Sequence, residues 1–192
     1  MAKSAVQTLT TQHEGALETS RQVALVVGAS LFVALCAQVT IPLMPLTPVP
    51  LTAQNLGVLL VGLLLGSRRG FAAMMLYLVE GMVGLPVFNA AQGGIAHLFG
   101  VTGGFLLAYP FVAFLAGYMF ERGKKSFSRA VLAGFLAEVL LFAGGLSWLY
   151  VFTHSLAKAA YFGLYWFVAA EILKVIVAAS VATGWSHDRR RA

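Results

Sequence analysis

Residues 41–57, IPLMPLTPVPLTAQNLG, place four prolines, at positions 42, 45, 48 and 50, in an apolar stretch without a charged residue. A proline has no backbone N–H and clashes with the preceding helical turn, so this stretch cannot be one regular helix. Proline also disfavours helical geometry at the residue before it. Since long apolar segments flank the stretch on both sides, it predicts an irregular, apolar connection between two membrane-spanning helices.

The composition of the chain indicates that water is not its main solvent. Of its 192 residues, 59% are hydrophobic and 10% are charged, whereas about 25% of the residues of a soluble domain are charged. Several apolar runs reach about 18 to 20 residues, the length at which a helix crosses a hydrocarbon core of about 30 Å. The sequence therefore predicts an all-α integral membrane protein.

Six transmembrane helices are predicted. They cover residues 23–41, 54–66, 70–84, 103–121, 129–152 and 161–183. The second and third are short, and the turn signal Gly66-Ser67-Arg68-Arg69-Gly70 separates them. Residues 1–22 are polar and have no signal-peptide features, so we expect a soluble N-terminal tail, a six-helix domain at 23–183 and a basic tail at 184–192.

The basic residues predict the orientation of these helices, because cytoplasmic loops collect lysine and arginine. Eleven of the 13 basic residues fall on one side of the predicted topology: Lys3, Arg21, Arg68, Arg69, Arg122, Lys124, Lys125, Arg129, Arg189, Arg190 and Arg191. Both termini are therefore expected in the cytoplasm. The formal charge of +6 then reflects topology and contact with anionic lipid of the bilayer, and it does not indicate nucleic-acid binding.

Two apolar, irregular segments share the opposite, nearly uncharged side: residues 41–57 and residues 85–104, LPVFNAAQGGIAHLFGVTGG. At membrane depth, irregular backbone must be buried in protein or line a cavity, because its polar groups would otherwise lack partners. These segments are either ordered linkers or the roof of a pocket. A roof would close over a small, partly apolar ligand that arrives from outside.

Four charged residues lie away from the ends of the predicted spans: Glu80, Glu138, Glu171 and Lys174. Glu171 and Lys174 are three residues apart and therefore share one face of a helix. They either neutralise each other or face a cavity, where the lysine suits a ligand carboxylate and the glutamate suits ligand N–H groups. For Glu80 and Glu138 we expect polar contacts in the protein interior.

Several other side chains are candidate ligand contacts. Four amide side chains at the ends of the outer segments could bind ligand groups that donate or accept: Gln54, Asn55, Asn89 and Gln92. A single amide at such a position more often caps a helix or a turn, so only the convergence of several indicates a site. Aromatic residues could stack on a ring or form interfacial belts: Phe88, Tyr109, Trp148, Tyr150 and Trp166.

No motif in the sequence supports catalysis or a cofactor. The phosphate-binding pattern G-x-x-x-x-G-K-[ST] is absent, so we expect no ATP hydrolysis by this chain. The four histidines are scattered and the single cysteine, Cys36, stands alone, so we expect neither a metal site nor a disulfide. Accumulation of a solute would therefore need a separate energising subunit.

Small residues four apart indicate where helices approach closely. Gly62 and Gly66 form one such pair, for which packing inside the bundle is the favoured interpretation. In the first span, Ala24 and Gly28 form a second pair and Ser30 and Ala34 a third. These first-span pairs could dock an external membrane partner.

The segments TPVPLTAQNLGVLLVGLLLGSRRG, GLPVFNAAQGG and GVTGGFLLAYP, in this order and spacing, together with the acidic-x-x-Lys of the last span, resemble the BioY family. Its members are the biotin-binding S-components of energy-coupling-factor (ECF) transporters. The resemblance covers about residues 23–183. It implies a six-helix S-component in the plasma membrane that binds biotin from outside and delivers it inward. Another vitamin S-component, a small intramembrane enzyme and a proton channel are the alternatives.

The resemblance also implies partners and site residues. The partners are a membrane T-component and two ATPase subunits, and some family members may work without them. In the family, the T-component docks on the small residues of the first helix. The family's acidic residue and lysine in the last helix correspond to Glu171 and Lys174, although the family usually has Asp at the first position. The substrate-binding residues implied or inferred are Lys174, Glu171, Gln92, Asn89, Gln54 and Phe88.

Overall fold

The computed structural model describes the fold of residues 2–188 and the side chains of residues 17–187. Helices make up most of this part of the chain. They are α1 (Ala2–Gln38), α2 (Gln54–Leu65), α3 (Ser67–Met82), α4 (Ile95–Leu98), α5 (Gly103–Glu121), α6 (Phe127–Thr153), α7 (Leu156–Ala160) and α8 (Val168–Asp188). A short ladder joins β1 (Thr40–Ile41) to β2 (Leu51–Thr52), a 3-10 turn covers Asn89–Ala91, and a π-helical turn covers Tyr161–Tyr165.

Four helical segments are long and apolar enough to cross a membrane: Leu17–Gln38, Gly103–Glu121, Phe127–Thr153 and Val168–His187. This confirms the predicted class, a mainly helical membrane protein. The helices at the second and third predicted spans are short, as expected: α2 has 12 residues and α3 has 16. The last predicted span differs, because its first residues form the π-helical turn and α8 begins only at Val168.

Helix α1 runs without a break from Ala2 to Gln38 and crosses the boundary predicted at residue 22. Its polar first part continues directly into its apolar second part. Near the junction Arg21 and Glu18 form an exposed ion pair at 3.4 Å. The predicted basic tail falls largely outside the described residues, since Arg189, Arg190 and Arg191 lie beyond them.

The proline-rich segment is held at both of its ends. Thr40 pairs with Thr52 and Ile41 with Leu51 in an antiparallel ladder, which closes the segment into a loop. In its middle, the hydroxyl of buried Thr47 donates to the carbonyl of Phe162 at 2.7 Å. The loop is therefore packed against the chain's own π-helical turn.

Glycine allows α2, α3 and α5 to cross at close range. An added side chain at Gly62 would lie 2.5 Å from the carbonyl oxygen of Ala113 in α5. Gly66, between α2 and α3, has φ of +87°, a conformation that favours glycine. The preferred interpretation of this pair, packing among the chain's own helices, is confirmed.

The two small-residue pairs of α1 have different environments. Ser30 and Ala34 are buried within the bundle, and the Ser30 hydroxyl donates to a carboxylate oxygen of Glu80 in α3. They are therefore not available to an external partner in this conformation, contrary to the expectation for them. Ala24 and Gly28 are exposed, and nothing lies within 4 Å of a side chain added at Gly28. The Ser30 contact confirms the expected interior role of Glu80.

The hydrophobic core has two parts, and the candidate site lies between them. The larger part joins α1, α2, α3, α5, α6 and α8 along the bundle. The smaller part joins Val49 of the proline loop to three residues below it, Leu149, Ala159 and Phe167. A chamber at the loop end of the bundle is thus enclosed by packed side chains on its sides and by the loop above.

Candidate binding site

One chamber collects most of the predicted polar residues. Helices α2, α5, α6 and α8 form its sides, and the proline loop and the segment before α5 lie over it. Its lining is Val49, Pro50, Thr52, Gln54, Asn55, Asn89, Thr102, Phe105, Leu106, Tyr109, Leu141, Phe142, Gly163, Phe167, Glu171 and Lys174. A mostly apolar wall with a few aimed polar groups is typical of a small-molecule site.

The charged pair of α8 faces this chamber. The ammonium nitrogen of Lys174 lies 2.7 Å from Oε1 of Glu171, and the two side chains are 13% and 8% exposed. The prediction that they share one helix face is confirmed. Because an ammonium group has three donors and one of them is used by Glu171, Lys174 keeps donor capacity for a ligand oxygen.

Asn55 links this pair to a second buried carboxylate. Its amide nitrogen donates to Glu171 Oε2 at 2.7 Å and to Glu138 Oε1 at 2.6 Å. The expected interior contact of Glu138 is thereby confirmed. The cluster joins two acidic side chains to one lysine, and most of its polar atoms are hydrogen-bond acceptors. It therefore favours a ligand that brings N–H donors.

Two acceptor atoms of this cluster have no hydrogen-bond partner within the described part of the chain: Asn55 Oδ1 and Glu138 Oε2. Buried acceptors of this kind usually find a donor. Asn55 is itself part of the chamber lining, whereas Glu138 stands behind it. Asn55 is accordingly the member of the cluster that joins the buried carboxylates to the chamber.

The two ends of the Gln54 amide group have different roles. Its amide nitrogen donates to the hydroxyl of Tyr77 at 2.7 Å, and that hydroxyl donates to the carbonyl of Val87 at 2.9 Å. These bonds fix the start of α2 to α3 and to the segment above the chamber. The amide oxygen of Gln54 is left as an acceptor at the chamber wall.

Asn89 lies at the top of the chamber and also lines a larger outer cavity beside it. Its Oδ1 lies 3.2 Å from Nε2 of His97, whose ring stacks on Phe88 with 5.2 Å between centroids. Partial burial lowers the pKa of His97, which favours the neutral form of the ring. The amide of Asn89, with Pro50 and Thr102, separates the chamber from the outer cavity.

Two predicted site residues do not reach the chamber in this structure. Gln92 is exposed and lines the outer cavity, because the backbone N–H of Phe88 turns back to bond the Gln92 carbonyl at 2.9 Å. Phe88 is fully buried between Tyr77 and His97 rather than in the wall. It supports the roof from behind, where Gly81 leaves room for its ring.

Among the aromatic residues considered from the sequence, only Tyr109 lines the chamber. Trp148 instead fixes the segment before α5, donating from Nε1 to the Gly100 carbonyl at 2.9 Å. The aromatic wall is formed by Phe105, Phe142 and Phe167, which sequence analysis did not single out. No motif distinguishes them from other phenylalanines in apolar helices.

Pro110, in the middle of α5, changes the backbone hydrogen bonding of the chamber wall. Proline has no N–H, so it cannot donate to the carbonyl of Leu106 one turn earlier. Leu106 lines the chamber. The proline therefore leaves a backbone acceptor of the wall without its usual helical partner.

The comparisons with known proteins agree on one family. The model of the BioY family matches residues 6–191. A probable biotin transporter BioY of Pyrococcus horikoshii is 36% identical over 85% of this chain and 94% of its own length. The biotin transporter BioY of Thermotoga maritima is 36% identical over 72% of this chain and 81% of its own.

A solved structure shares the fold. It is the crystal structure at 2.1 Å of the S-component for biotin from an ECF-type ABC transporter. It superposes with a TM-score of 0.80 over 88% of this chain and 93% of that chain, at 22% identity. With the family model spanning nearly the whole sequence, this chain belongs to the BioY family.

Proposed function

We propose that this chain is a biotin-binding S-component that captures biotin outside the cell and delivers it inward. The observation that carries the proposal is the cluster of Lys174, Glu171 and Asn55 at the wall of an apolar chamber. Biotin has an apolar fused ring with one carbonyl and two N–H groups, and its tail ends in a carboxylate. The cluster offers both a cation and acceptors. The proposed activity is transport and not catalysis.

Each polar residue of the chamber has a proposed task. Lys174 donates to an oxygen of biotin by a charge-assisted hydrogen bond. Asn55 and Glu171 accept from ligand N–H groups, and Gln54 and Asn89 contact the ligand near the roof. Gln92 acts at the outer cavity, which the ligand passes first, and Phe88 holds the roof in place.

Entry of biotin requires the roof to move. The chamber has a volume of about 60 Å³ and the outer cavity about 640 Å³, whereas pockets for small molecules usually hold about 300 to 1,000 Å³. The two spaces meet at Pro50, Asn89 and Thr102. Outward movement of the proline loop at this boundary would join them and admit the ligand.

We propose six membrane spans, with both termini in the cytoplasm and the chamber on the outer side of the plasma membrane. The domain at 23–183 carries the site, and residues 1–22 and 184–192 are cytoplasmic tails. The support is the charge asymmetry, since eleven of the 13 basic residues would be cytoplasmic. Labelling of single cysteines introduced at position 124 or 158 of a Cys36→Ser chain, from outside intact cells, would test this, with reaction expected only at residue 158.

The proposed partners are a T-component and two ATPase subunits. An apolar groove between α1 and α2 is the proposed docking surface, and it is lined by Ala24, Leu25, Gly28, Ala29, Phe32, Leu60, Val61, Leu64 and Leu65. Small residues allow close helix contact in the membrane. Ser30 and Ala34 are not part of this surface, because they are buried inside the chain.

The direct test of ligand identity is equilibrium binding to the purified chain. Labelled biotin is offered alone and with an excess of unlabelled biotin, thiamine or riboflavin. The proposal predicts saturable binding that only unlabelled biotin displaces. Displacement by thiamine or riboflavin would assign the chamber to another vitamin, and no saturable binding would remove the proposed function.

A further inference from the structure

A second polar cavity lies at the end of the bundle opposite the chamber, where α2 passes into α3 and α5 ends. Its volume is about 560 Å³. It is lined by Leu65, Ser67, Arg68, Arg69, Phe114, Tyr118, Glu121 and Arg122. Three arginines thus converge on one concave surface that is separate from the binding chamber and shares only Leu65 with the proposed docking groove.

The positive charge of this cavity is largely uncompensated. Arg68 makes no hydrogen bond or ion pair within the part of the chain that the structure describes, and Arg122 lies over the ring of Tyr118, 3.9 Å from its centroid. Arg69 donates from Nε to Gln22 Oε1. The carboxylate of Glu121 instead accepts from the hydroxyl of Ser67 at 2.8 Å and from its N–H at 3.2 Å.

An apolar surface continues from this cavity along the outside of α5. Phe111, Phe114 and Tyr118 lie at i, i+3 and i+7 of that helix, and Phe71 of α3 packs edge-on against Phe111 at 5.7 Å and against Phe114 at 6.3 Å. Phe111 and Phe114 are 56% and 39% exposed. From Phe111 to Arg122 the helix rises about 16 Å, roughly half of a hydrocarbon core of about 30 Å.

We propose that this surface binds one anionic phospholipid. The phosphate group is held by Arg68, Arg69 and Arg122, since guanidinium groups bind phosphate oxygens in pairs of charge-assisted hydrogen bonds. One acyl chain lies on Phe71, Phe111 and Phe114. Basic pockets between membrane helices are suited to anionic headgroups, and the adjoining apolar surface favours a lipid over a free anion.

The probe is native mass spectrometry of the purified chain after incubation with phosphatidylglycerol or, in parallel, phosphatidylcholine. The double variant R68Q with R122Q removes two charges from the cavity. The matched control K124Q with K125Q removes two charges from the neighbouring loop, outside the cavity. The first variant should retain about one fifth or less of the phosphatidylglycerol that the unmodified chain retains, because each basic residue near an anionic headgroup contributes to binding. The lysine control should retain as much as the unmodified chain.

R68Q alone guards against a folding effect, because Arg68 is exposed and its loss breaks no bond among the described residues. A twofold or larger decrease in retained phosphatidylglycerol is expected for it. Equal loss in the arginine variants and the lysine control, or equal retention of phosphatidylcholine, would overturn the proposal. Displacement of the lipid by millimolar inorganic phosphate would assign the arginines to a free anion instead. None of these readouts depends on biotin.

Discussion

Lys174 and Glu171 form a buried ion pair of 2.7 Å at the wall of the chamber. The pair does not stand alone, because the amide of Asn55 joins the second oxygen of Glu171 to Glu138 on a different helix. Three helices therefore contribute to one polar cluster. The cluster fixes α2, α6 and α8 relative to one another at the level where a ligand would bind.

Replacement of Asn55 by Leu should destabilise the protein. The substitution removes the amide N–H groups that donate to both Glu138 and Glu171. A buried acceptor without a donor lowers the free energy of unfolding by about 1 to 3 kcal/mol, and by more when the acceptor is charged. The midpoint of thermal unfolding in detergent should fall by several degrees. The double variant N55L with E138L is the control, because loss of both partners is less costly than loss of one. A double variant less stable than N55L would contradict the role of this bond.

Substitution of Gly62 by Ala should separate α2 from α5. Its Cβ would lie 2.5 Å from the carbonyl oxygen of Ala113, and overpacking of this kind costs about 1 to 3 kcal/mol. Gly28→Ala is the matched control, since it makes the same exchange in a helix where the new Cβ meets nothing within 4 Å. Thermal unfolding should show a loss for G62A and none for G28A. Equal midpoints for the two variants would refute the close crossing.

The stability of the roof should depend on pH through His97. Its pKa in the folded chain is lowered by burial below the ordinary value of 6.5. Below that value the unfolded chain binds the proton more readily than the folded chain, so stability is full above about pH 6.5 and falls as the pH decreases. H97Q should reduce the loss of thermal stability between pH 7.5 and 5.5.

The control for this experiment is H154N. His154 is exposed and has φ of +48° at the end of α6, a conformation that asparagine also adopts readily. This variant should keep the pH dependence of the unmodified chain. If H97Q leaves that dependence unchanged and H154N removes it, the assignment to His97 is wrong.

Much of the fold could be predicted from the sequence because its signals are local. The apolar lengths identify the helices, the prolines at 42–50 identify the loop, and residues 66–70 identify the turn between α2 and α3. The π-helical turn at Tyr161–Tyr165 could not be predicted, since the segment is as apolar and as free of proline as a regular helix. The tertiary contact of the proline loop with Phe162 accompanies that irregularity.

Contacts in the site could be predicted from the sequence where both residues lie on one helix. Contacts between residues of different helices or loops could not. The spacing of Glu171 and Lys174 places them together on any helix, and the structure agrees. The contact of Asn55 with Glu138 spans 83 residues, so no local pattern could reveal it. Gln92 was expected in the chamber, but the turn of the chain between Phe88 and Gln92 directs it to the outer cavity.

The most direct test of the central claim is equilibrium binding of labelled biotin to the purified K174A variant. K158A is the matched control, since Lys158 is an exposed lysine outside the chamber. Loss of a buried charge-assisted hydrogen bond of about 1.5 to 3 kcal/mol should weaken binding by K174A about tenfold or more, while K158A binds as the unmodified chain does. Unchanged affinity in K174A would contradict the account of a chamber built around the Lys174–Glu171 pair.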